Sequence, residues 1–384
     1  MKIVVGGYIV SFPLGGMTWH HLNYLLGLHE LGHEVFFLED GGQWILPYNP
    51  TTKEVGVDSS YGRAYLEKTF RDFGLPIRWC YHLEQEGQYF GATEQELNDV
   101  LRDADLLVCV SGVTAMRPNR PRPKRTLVID TDPVFTQLRM TENEEFLNYY
   151  KQFDHVATFG RLIGTSDCPL PTHGFDWIPT NQPIAMNHWP VARGPRTSDN
   201  YTTIGKWEHG GRAVTFNGQS YLSSKAVEWM KMLDLPRQVP WRMTIGMQAM
   251  PADVRAEFES HGWHFTDAES ASADCRTFSA FLRNSAGEFT VAKQIYSGVP
   301  SGWFSDRSAC YLASGKPVVT QSTGFETWLP PGNGLASFTT TEEAASALRR
   351  IHDDYDIHAT GARRLAEQFF DSRRVLTELV DRVM

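Results

Sequence analysis

The segment from residue 301 to residue 324 holds the side chains best suited to binding an anion. Ser305 is a typical helix N-cap, Asp306 and Arg307 fall in the first turn, and Gly315 ends the predicted helix. The amino end of a helix presents unpaired N–H groups and partial positive charge, which attract a phosphate or a carboxylate. We therefore predict a ligand site at this helix end.

A short apolar strand follows this helix, and polar residues stand after it. Residues 316–320 form a β-branched run that is typical of a buried parallel strand, and Thr323 and Gly324 lie in the turn beyond it. Ligands of open parallel sheets bind at the carboxyl ends of the strands. Lys225 opens a predicted helix after another strand, where its ammonium group can reach a diphosphate or can simply lie exposed. Thr323, Gly324 and Lys225 are therefore further candidate ligand contacts.

Glycine and histidine pairs follow the first predicted strand. Gly15 and Gly16 lie before the first helix, where the lack of a side chain lets the backbone approach an anion or a sugar, although a plain turn explains them equally well. Their spacing differs from the G-x-G-x-x-G fingerprint, which disfavours a nicotinamide enzyme. His20 and His21 come in the first turn, where an imidazole can act as a base, bind a hydroxyl or pack inside the protein.

Two carboxylates, Asp130 and Asp132, follow the strand predicted at residues 127–129. Side chains two residues apart on an extended chain share a direction, so the pair can bind acceptor hydroxyls, and Asp132 is a candidate base. An Asp-rich turn before a proline is also common for conformational reasons alone. One pair of acids does not predict a metal site, and we expect none.

One stretch of the chain is densely basic, and prolines keep it extended. Because the whole chain has a net charge of −9, a local patch of this kind is the one candidate for binding a nucleic acid, but it can also be a solvated connection. Its cations are Arg117, Arg120, Arg122, Lys124 and Arg125.

The 384 residues exceed what one hydrophobic core usually serves, so two domains are expected. A strand, a helix and a second strand within the first forty residues form a βαβ unit, and a similar alternation recurs after a stretch rich in Pro, Asn and Gly. We predict a Rossmann-like domain over residues 1–182, a linker over 183–200, a second Rossmann-like domain over 201–360 and a C-terminal helix over 361–384.

Neither a membrane span nor a signal peptide is predicted. No run is long and apolar enough to cross a bilayer, and the amino terminus goes directly into a strand-like run. The five cysteines show neither zinc-like nor disulfide-like spacing. We therefore expect a soluble, cytoplasmic protein with reduced thiols.

Three motifs carry a resemblance to a known enzyme fold. Gly15 and Gly16 follow the first strand, residues 31–35 read L-G-H-E-V before the second, and residues 313–318 match A-x-G-x-P-V. Together they resemble GT-B glycosyltransferases of the retaining, glycogen-synthase-like (family 4-like) type, over the whole chain. The resemblance implies an α/β protein with two Rossmann-like doubly wound domains facing a central cleft, the acceptor bound on the first domain, the donor on the second, and a last helix that can cross back.

This chain departs from that group in its donor-site helix. Two glutamates that contact the donor sugar and ribose are replaced, because the alignment puts Gly302 and Cys310 in their places. The resemblance implies that Asp306 substitutes for one of them. It further implies that Ser305 and the N–H groups of residues 303–307 face the phosphates.

The implied function is transfer of a sugar from a UDP-, GDP- or dTDP-sugar to an acceptor hydroxyl, without a metal ion. Lys225 and Arg307 would neutralise the departing diphosphate, and the acceptor would be a small molecule, a glycan or a modified nucleobase. The residues leave open whether His20, His21, Asp132 or the leaving phosphate takes the acceptor proton. Two alternatives also stay open: a nucleotide-sugar epimerase of GT-B fold, which would turn over without an acceptor, and a non-catalytic relative that only binds a nucleotide or glycan.

Overall fold

The computed structural model describes residues 1–191, 196, 198–208 and 213–384. Within the first 179 residues the strands are β1 Lys2–Gly6, β2 Glu34–Glu39, β3 Tyr48–Asn49, β4 Glu54–Val55, β5 Arg78–Leu83, β6 Gln88–Gly91, β7 Leu106–Val110, β8 Arg125–Asp130, β9 His155–Thr158 and β10 Trp177–Pro179. Eight of them form a sheet of order β10-β9-β8-β7-β1-β2-β5-β6, parallel except at the β5–β6 edge. The sheet centre is β1, whose apolar residues are buried on both faces, as a doubly covered parallel sheet requires.

A second parallel sheet follows residue 200. In the described part of this region the strands are β11 Tyr201–Lys206, β12 Ala213–Phe216, β13 Gln219–Leu222, β14 Met243–Gln248, β15 His264–Thr266, β16 Gly287–Thr290, β17 Val318–Gln321 and β18 Leu335–Phe338. The order of the sheet is β15-β14-β11-β16-β17-β18, while β12 and β13 form a separate antiparallel hairpin. Strand β12 therefore lies outside the main sheet.

Helices connect the strands of both sheets. They are α1 Gly15–Glu30, α2 Ser60–Asp72, α3 Glu94–Asp103, α4 Phe135–Glu142, α5 Glu144–Tyr150, α6 Ala226–Lys231, α7 Ala252–Ser260, α8 Ala268–Ala271, α9 Cys275–Arg283, α10 Gln294–Gly298, α11 Asp306–Ala313, α12 Thr341–Asp353, α13 Tyr355–Phe369 and α14 Ser372–Val383. None of those in the described ranges combines the length and the apolarity needed to cross a membrane.

The chain ends in two helices. The break falls at Phe370 and Asp371, where the Asp371 side chain accepts a hydrogen bond from the Arg373 N–H (3.0 Å) and so caps α14. α14 lies against α1 of the first sheet, so closely that a Cβ on Gly27 would be 2.6 Å from Leu376 Cδ1. The last helix of the chain thus packs against its first helix.

The predicted linker packs against the rest of the protein where it is described. Ile184 is fully buried and its N–H donates to the Phe370 carbonyl (2.7 Å), while the ring of buried Trp189 lies 4.6 Å from that of Trp19. Residues 192–195 and 197 of this predicted linker lie outside the described residues. We keep the division at residues 183–200 as a proposal.

Candidate active site

A hydrogen-bonded chain of side chains crosses the cleft where the two sheets meet. His20 on α1 places Nδ1 3.3 Å from Asp306 Oδ2 on α11, and its Nε2 lies 3.1 Å from Ser111 Oγ. Ser111 Oγ in turn lies 2.8 Å from Thr131 Oγ1. The chain therefore joins an acid of the second half to an imidazole and two hydroxyls of the first half.

The protonation of this chain follows from Asp306. Partial burial works against its ionisation, but hydrogen bonds from His20 and from the Arg307 N–H lower its pKa below the ordinary value. A carboxylate beside Nδ1 holds the proton of a neutral imidazole on that nitrogen. His20 Nε2 is then a proton acceptor, and the Ser111 hydroxyl donates to it.

Ser111 stands at a position that is strained for a residue with a side chain. It follows β7 directly and adopts φ 65°, the left-handed region that residues other than glycine seldom occupy. Such conformations cluster at functional sites, where the surrounding structure holds them. Thr131 follows β8 in the same way, so both hydroxyls lie at carboxyl ends of parallel strands.

His21 does not share this geometry. It is fully buried, its Nε2 accepts the Tyr8 N–H (3.3 Å), and a Cβ on Gly7 would be 2.5 Å from its Nδ1. Burial and the charge of His20 lower its pKa well below the usual range. The geometry therefore does not favour His21 as the base, because its ring packs against the loop after β1 and does not open to the cleft.

Asp132 lies in the cleft but already has partners from the other half. Its carboxylate accepts a hydrogen bond from Tyr296 and lies 3.0 Å from Lys293 Nζ. Because Tyr296 and Lys293 already engage its carboxylate, Asp132 is better placed for binding than for proton abstraction. Burial, followed by the negative charges of Asp306 and Asp132, raises the pKa of Tyr8, which places that phenol in the same space.

The loop that carries Tyr8 is held by a buried acid. Glu39 at the end of β2 accepts hydrogen bonds from the N–H groups of Ile9, Val10 and Ser11, each at 2.7 Å, and from the Ser11 hydroxyl. These N–H groups are consequently unavailable to a ligand. The carboxylate fixes the loop that borders the cleft.

A group of unpaired N–H donors surrounds the start of α11. In the described structure no hydrogen-bond acceptor lies at the N–H groups of residues 303–306 and 308, whereas that of Arg307 is taken by Asp306. Ser305 precedes the helix, but its hydroxyl does not cap it and instead lies 3.5 Å from Asp306 Oδ1. The predicted anion site thus rests on the backbone and not on the Ser305 side chain.

Lys225 is a buried cation of this region whose ammonium group lacks a partner in the described structure. The residue is only 8% exposed, and its ammonium group has no hydrogen-bond or ion-pair partner among the described residues. Burial and the positive charge of Arg307 lower its pKa well below the usual range, against the opposing charge of Glu288. One Glu288 oxygen, Oε2, is buried without a partner as well. A lysine that is this deeply buried, with no acid or hydrogen-bond partner in the described ranges, is well placed to bind an anion.

Arg307 has a different role from the one predicted. Its guanidinium donates to Glu288 Oε1 (2.5 Å), the Ile204 carbonyl (2.7 Å) and Thr290 Oγ1 (2.9 Å). The guanidinium ties α11 to two strands, β11 and β16, and Glu288 compensates its charge. Direct neutralisation of a phosphate by Arg307 is therefore not supported.

Thr323 and Gly324 brace the turn before α11. The Thr323 hydroxyl donates to the Trp303 carbonyl, and the Thr323 carbonyl accepts the Gly302 N–H (3.0 Å). Gly324 adopts φ 85°, which only glycine does readily. Thr323 thus holds the turn before α11 in place, and Gly324 permits the backbone conformation of its own turn, so direct contact with a ligand is not needed to explain either residue.

The two positions at which the resemblance implies glutamates offer no carboxylate here. Gly302 adopts φ 75°, and a Cβ there would be 2.9 Å from Leu162 Cγ. Cys310 is buried, and desolvation followed by the charge of Asp306 raises its thiol pKa well above the ordinary value, so the thiol stays neutral. Asp306 is therefore the acid at this end of the cleft.

Gly15 and Gly16 serve packing between the two halves and not ligand approach. The Gly15 N–H donates to the Ser272 carbonyl (2.6 Å) and the Gly16 N–H to the Ser272 hydroxyl (3.0 Å). A Cβ on Gly15 would lie 2.2 Å from the Asp274 carbonyl oxygen, and one on Gly16 would lie 3.0 Å from the Phe278 ring. These contacts favour a packing role for the two glycines over the predicted contact with a ligand.

We expect Gly15→Ala to lower the free energy of unfolding by about 1–3 kcal/mol, because the new methyl group meets backbone across the contact. Helix propensity alone would make Gly15→Ala stabilising, because alanine is the better helix former. The expected loss of stability therefore comes from the steric contact. Chemical denaturation measures the change. Gly56→Ala is the control, because nothing lies within 4 Å of its Cβ; equal stability of the two variants would contradict the packing role.

Most of the basic stretch is neutralised within the protein. Arg117 and Arg120 both bind Asp40, which is buried at the end of β2. Burial opposes ionisation of Asp40, but these bonds hold its pKa well below the usual range. Arg122 pairs with Asp154 (3.6 Å) and Lys124 with Asp105 (2.7 Å). Four of the five cations predicted to bind a nucleic acid therefore already face acids.

Arg120→Gln should destabilise the protein by about 2–4 kcal/mol at neutral pH, because it leaves the buried Asp40 with one guanidinium fewer. A depressed carboxyl pKa stabilises the folded state above the unfolded pKa, near 4, and this contribution is lost as the pH falls. The difference in free energy of unfolding between the variant and wild type, measured by denaturation, should therefore shrink below pH 4. Arg125→Gln, which lacks an acidic partner among the described residues, should change little.

The side chains that complete the cleft were not predicted. They are Tyr8, Ser111, Thr131, Glu288, Lys293 and Tyr296. Ser111 and Thr131 carry a signal that could have found them, since each directly follows a buried strand of a parallel sheet. For Glu288, Lys293 and Tyr296 the sequence offers no comparable pattern.

Comparison with known proteins identifies the fold. No family model and no curated protein sequence matches the chain. Solved structures do match: AviGT4, a glycosyltransferase involved in avilamycin A biosynthesis, is 14% identical with a TM-score of 0.56, covering 100% of this chain and 96% of that one. An alpha-glucosyltransferase solved with UDP and a 13-mer DNA containing an HMU base is 11% identical with a TM-score of 0.59, covering 99% and 98%.

A third similar structure is HepE of Anabaena in complex with UDP, which is 12% identical with a TM-score of 0.57 and covers 99% of each chain. At such low sequence identity these similarities establish the fold of the chain and nothing beyond it. The fold predicted from the three motifs is confirmed: the chain has the GT-B fold, with two Rossmann-like α/β domains facing a cleft.

Proposed function

We propose that this protein is a glycosyltransferase that moves a sugar from a nucleotide-sugar donor to an acceptor hydroxyl. The observation that carries the proposal is the pairing of His20 with Asp306 across the cleft, beside the unpaired ammonium of Lys225 and the free N–H groups at α11. One part of this arrangement suits an anion, and the other suits proton removal. Both are needed when an acceptor displaces a nucleoside diphosphate.

On the donor side, Lys225 and the N–H groups of residues 303–306 and 308 would bind the diphosphate. Charge builds on this group as the glycosidic bond breaks, and preorganised donors stabilise such charge most when water is excluded. We propose that these protein groups do so without a metal ion. UDP is our preferred nucleotide, because two of the similar structures hold UDP.

On the acceptor side, His20 would take the proton. Asp306 fixes Nδ1–H and stabilises the imidazolium that forms, as an orienting acid does for a catalytic histidine. The acceptor hydroxyl either replaces Ser111 at Nε2 or passes its proton through the Ser111 hydroxyl, which lies 3.1 Å away. Thr131 then donates to Ser111 and keeps its orientation.

We propose a small molecule or a glycan as the acceptor. The pairing of Arg117, Arg120, Arg122 and Lys124 with acids argues against a nucleic acid on that loop. We further propose that residues 1–182 bind the acceptor and residues 201–360 the donor. A cytoplasmic location is proposed because the five cysteines are buried and unpaired.

A thermal-shift screen against UDP, GDP, dTDP and ADP tests the donor half of the proposal. We expect the melting temperature to rise most with UDP, and a larger rise with GDP or dTDP would redirect the donor choice. No rise with any nucleotide would overturn the proposed site. Binding without turnover over a broad acceptor panel would favour the non-catalytic alternative, and donor conversion without acceptor would favour the epimerase.

A further inference from the structure

A second cleft lies away from the His20 site, where the first sheet, the last two helices and a loop of the second half meet. It encloses about 150 Å³, compared with the roughly 10–15 Å³ that a single water needs. Its walls are the segment of residues 178–181, the end of α13, one face of α14, Arg161 and Trp328. The volume is therefore enough for a small organic ligand.

Three arginines line this cleft against one acid. Arg374 pairs with Glu378 (2.9 Å) along α14 and donates to the Gln368 carbonyl (2.7 Å). Arg161 and Arg382 have no acidic partner of their own in the described structure, and Arg382 has no hydrogen-bond or ion-pair partner there. Since the whole chain carries a net charge of −9, two uncompensated cations in one cleft are a local exception.

Arg161 is placed as a ligand-binding guanidinium would be. It is half-buried, its Nη1 donates to Asn181 Oδ1 (2.9 Å), and its guanidinium carbon lies 5.0 Å from the centre of the Trp328 ring. Burial, and after it the positive charge of Arg382, lower its pKa below the usual range. The guanidinium thus lies in a partly desolvated setting beside a second cation, with donors still unused.

The cleft also presents aromatic surface next to these cations. Trp328 and Phe369 meet edge to face with ring centres 6.3 Å apart, and the Trp328 N–H donates to the Gly302 carbonyl (2.7 Å). Asn181 donates to the Phe369 carbonyl (2.8 Å). The rings are therefore fixed in place and can pack against the ring of a ligand.

We propose that this cleft binds a phosphate monoester whose organic part is a small ring. A dianionic phosphate matches the two cations that lack an acid, and guanidinium groups bind phosphate oxygens with paired N–H donors. The ring would lie against Trp328 and Phe369. The site is separate from the proposed donor site and does not depend on the proposed transfer activity.

Such a ligand would also favour the present arrangement of the two halves. Arg161 and Asn181 belong to the first half, Trp328 to the second, and Arg382 to the crossing helix α14. An occupant therefore contacts all three parts and removes the repulsion between Arg161 and Arg382.

Calorimetry with phenyl phosphate as the probe tests the proposal. We expect wild type to bind it, Arg161→Gln and Arg382→Gln each to weaken binding at least about tenfold, and the control Arg373→Gln, which pairs with Asp371 outside the cleft, to bind normally. Benzoate, which carries one negative charge, and phenol, which carries none, are tested in the same way. Both should bind more weakly than phenyl phosphate. Stronger binding of benzoate would contradict the choice of a phosphate.

Two further measurements keep the outcome clear. Lys225→Met should bind phenyl phosphate as wild type does, which separates this cleft from the donor site. The melting temperature of Arg382→Gln should equal or exceed that of wild type, because the variant removes an unpaired cation beside Arg161. The proposal would be overturned if wild type did not bind phenyl phosphate, or if both arginine variants bound it as tightly as wild type does. Either result would count whether or not the protein transfers sugars.

Discussion

Replacement of His20 by alanine should lower kcat for sugar transfer by about 10²–10⁴-fold, the usual contribution of a positioned general base. The nucleotide affinity should stay unchanged, because Lys225 and the N–H groups at α11 are untouched. The reason is geometric: His20 is the imidazole whose Nε2 lies 3.1 Å from Ser111 in the cleft and whose Nδ1 is oriented by Asp306. Steady-state kinetics with the identified donor and acceptor measure the loss.

His29→Ala is the matched control, since His29 lies exposed on the same helix. It should retain wild-type turnover. Asp306→Asn should lower kcat as well, because an amide can present its N–H to Nδ1 and so favour the wrong tautomer. Full activity of the His20 variant would remove the histidine from the mechanism and leave the departing phosphate as the base.

Lys225→Met should weaken nucleotide binding by about 10–100-fold, which corresponds to the loss of one charge-assisted hydrogen bond to phosphate. The same variant should raise the melting temperature of the ligand-free protein, because methionine fills the space without a buried, unpartnered charge. A gain in stability paired with a loss of binding is the expected mark of a functional residue. Calorimetry and thermal unfolding provide the two numbers.

Lys231→Met serves as the control for nucleotide affinity, because Lys231 ends the helix that follows Lys225 and its side chain is 54% exposed and paired with Glu228. Its nucleotide affinity should equal that of wild type. A Lys225 variant that binds the nucleotide normally would place the diphosphate elsewhere in the cleft. A variant that is less stable than wild type would show that the ammonium has a structural partner.

Local patterns were sufficient to predict much of the fold. The apolar run of residues 2–5, the helix after it and the acids at the end of β2 predict the first βαβ unit, and A-x-G-x-P-V predicts α11 and β17. Central strand β11 was missed because Tyr201–Lys206 mixes threonine with glycine and follows a proline-rich stretch. The apolar pattern of a short strand is too weak there to stand out from a linker.

The candidate site was predicted only in part, because its residues are defined by distant partners. A glycine lets either a ligand or another segment of the protein approach the backbone closely. At Gly15 and Gly16 the approaching segment contains Ser272 and Phe278, which are more than 250 residues away in the sequence. The basic loop was ambiguous for the same reason, since its key partner is Asp40, which directly follows β2 and is distant in sequence. His20 and His21 are adjacent in sequence, yet the helix turns one toward the cleft and the other into the core.

The most direct test of the central claim is proton NMR of the protein with a UDP-sugar and a panel of hydroxyl acceptors. We expect UDP to be released together with a new glycoside, identified by its anomeric signal, only when an acceptor is present. We also expect His20→Ala to slow the growth of this signal by about 10²–10⁴-fold while still binding UDP. Conversion of the donor to an epimer without acceptor, or an unchanged donor with every acceptor, would contradict a glycosyltransferase that works through His20 and Asp306.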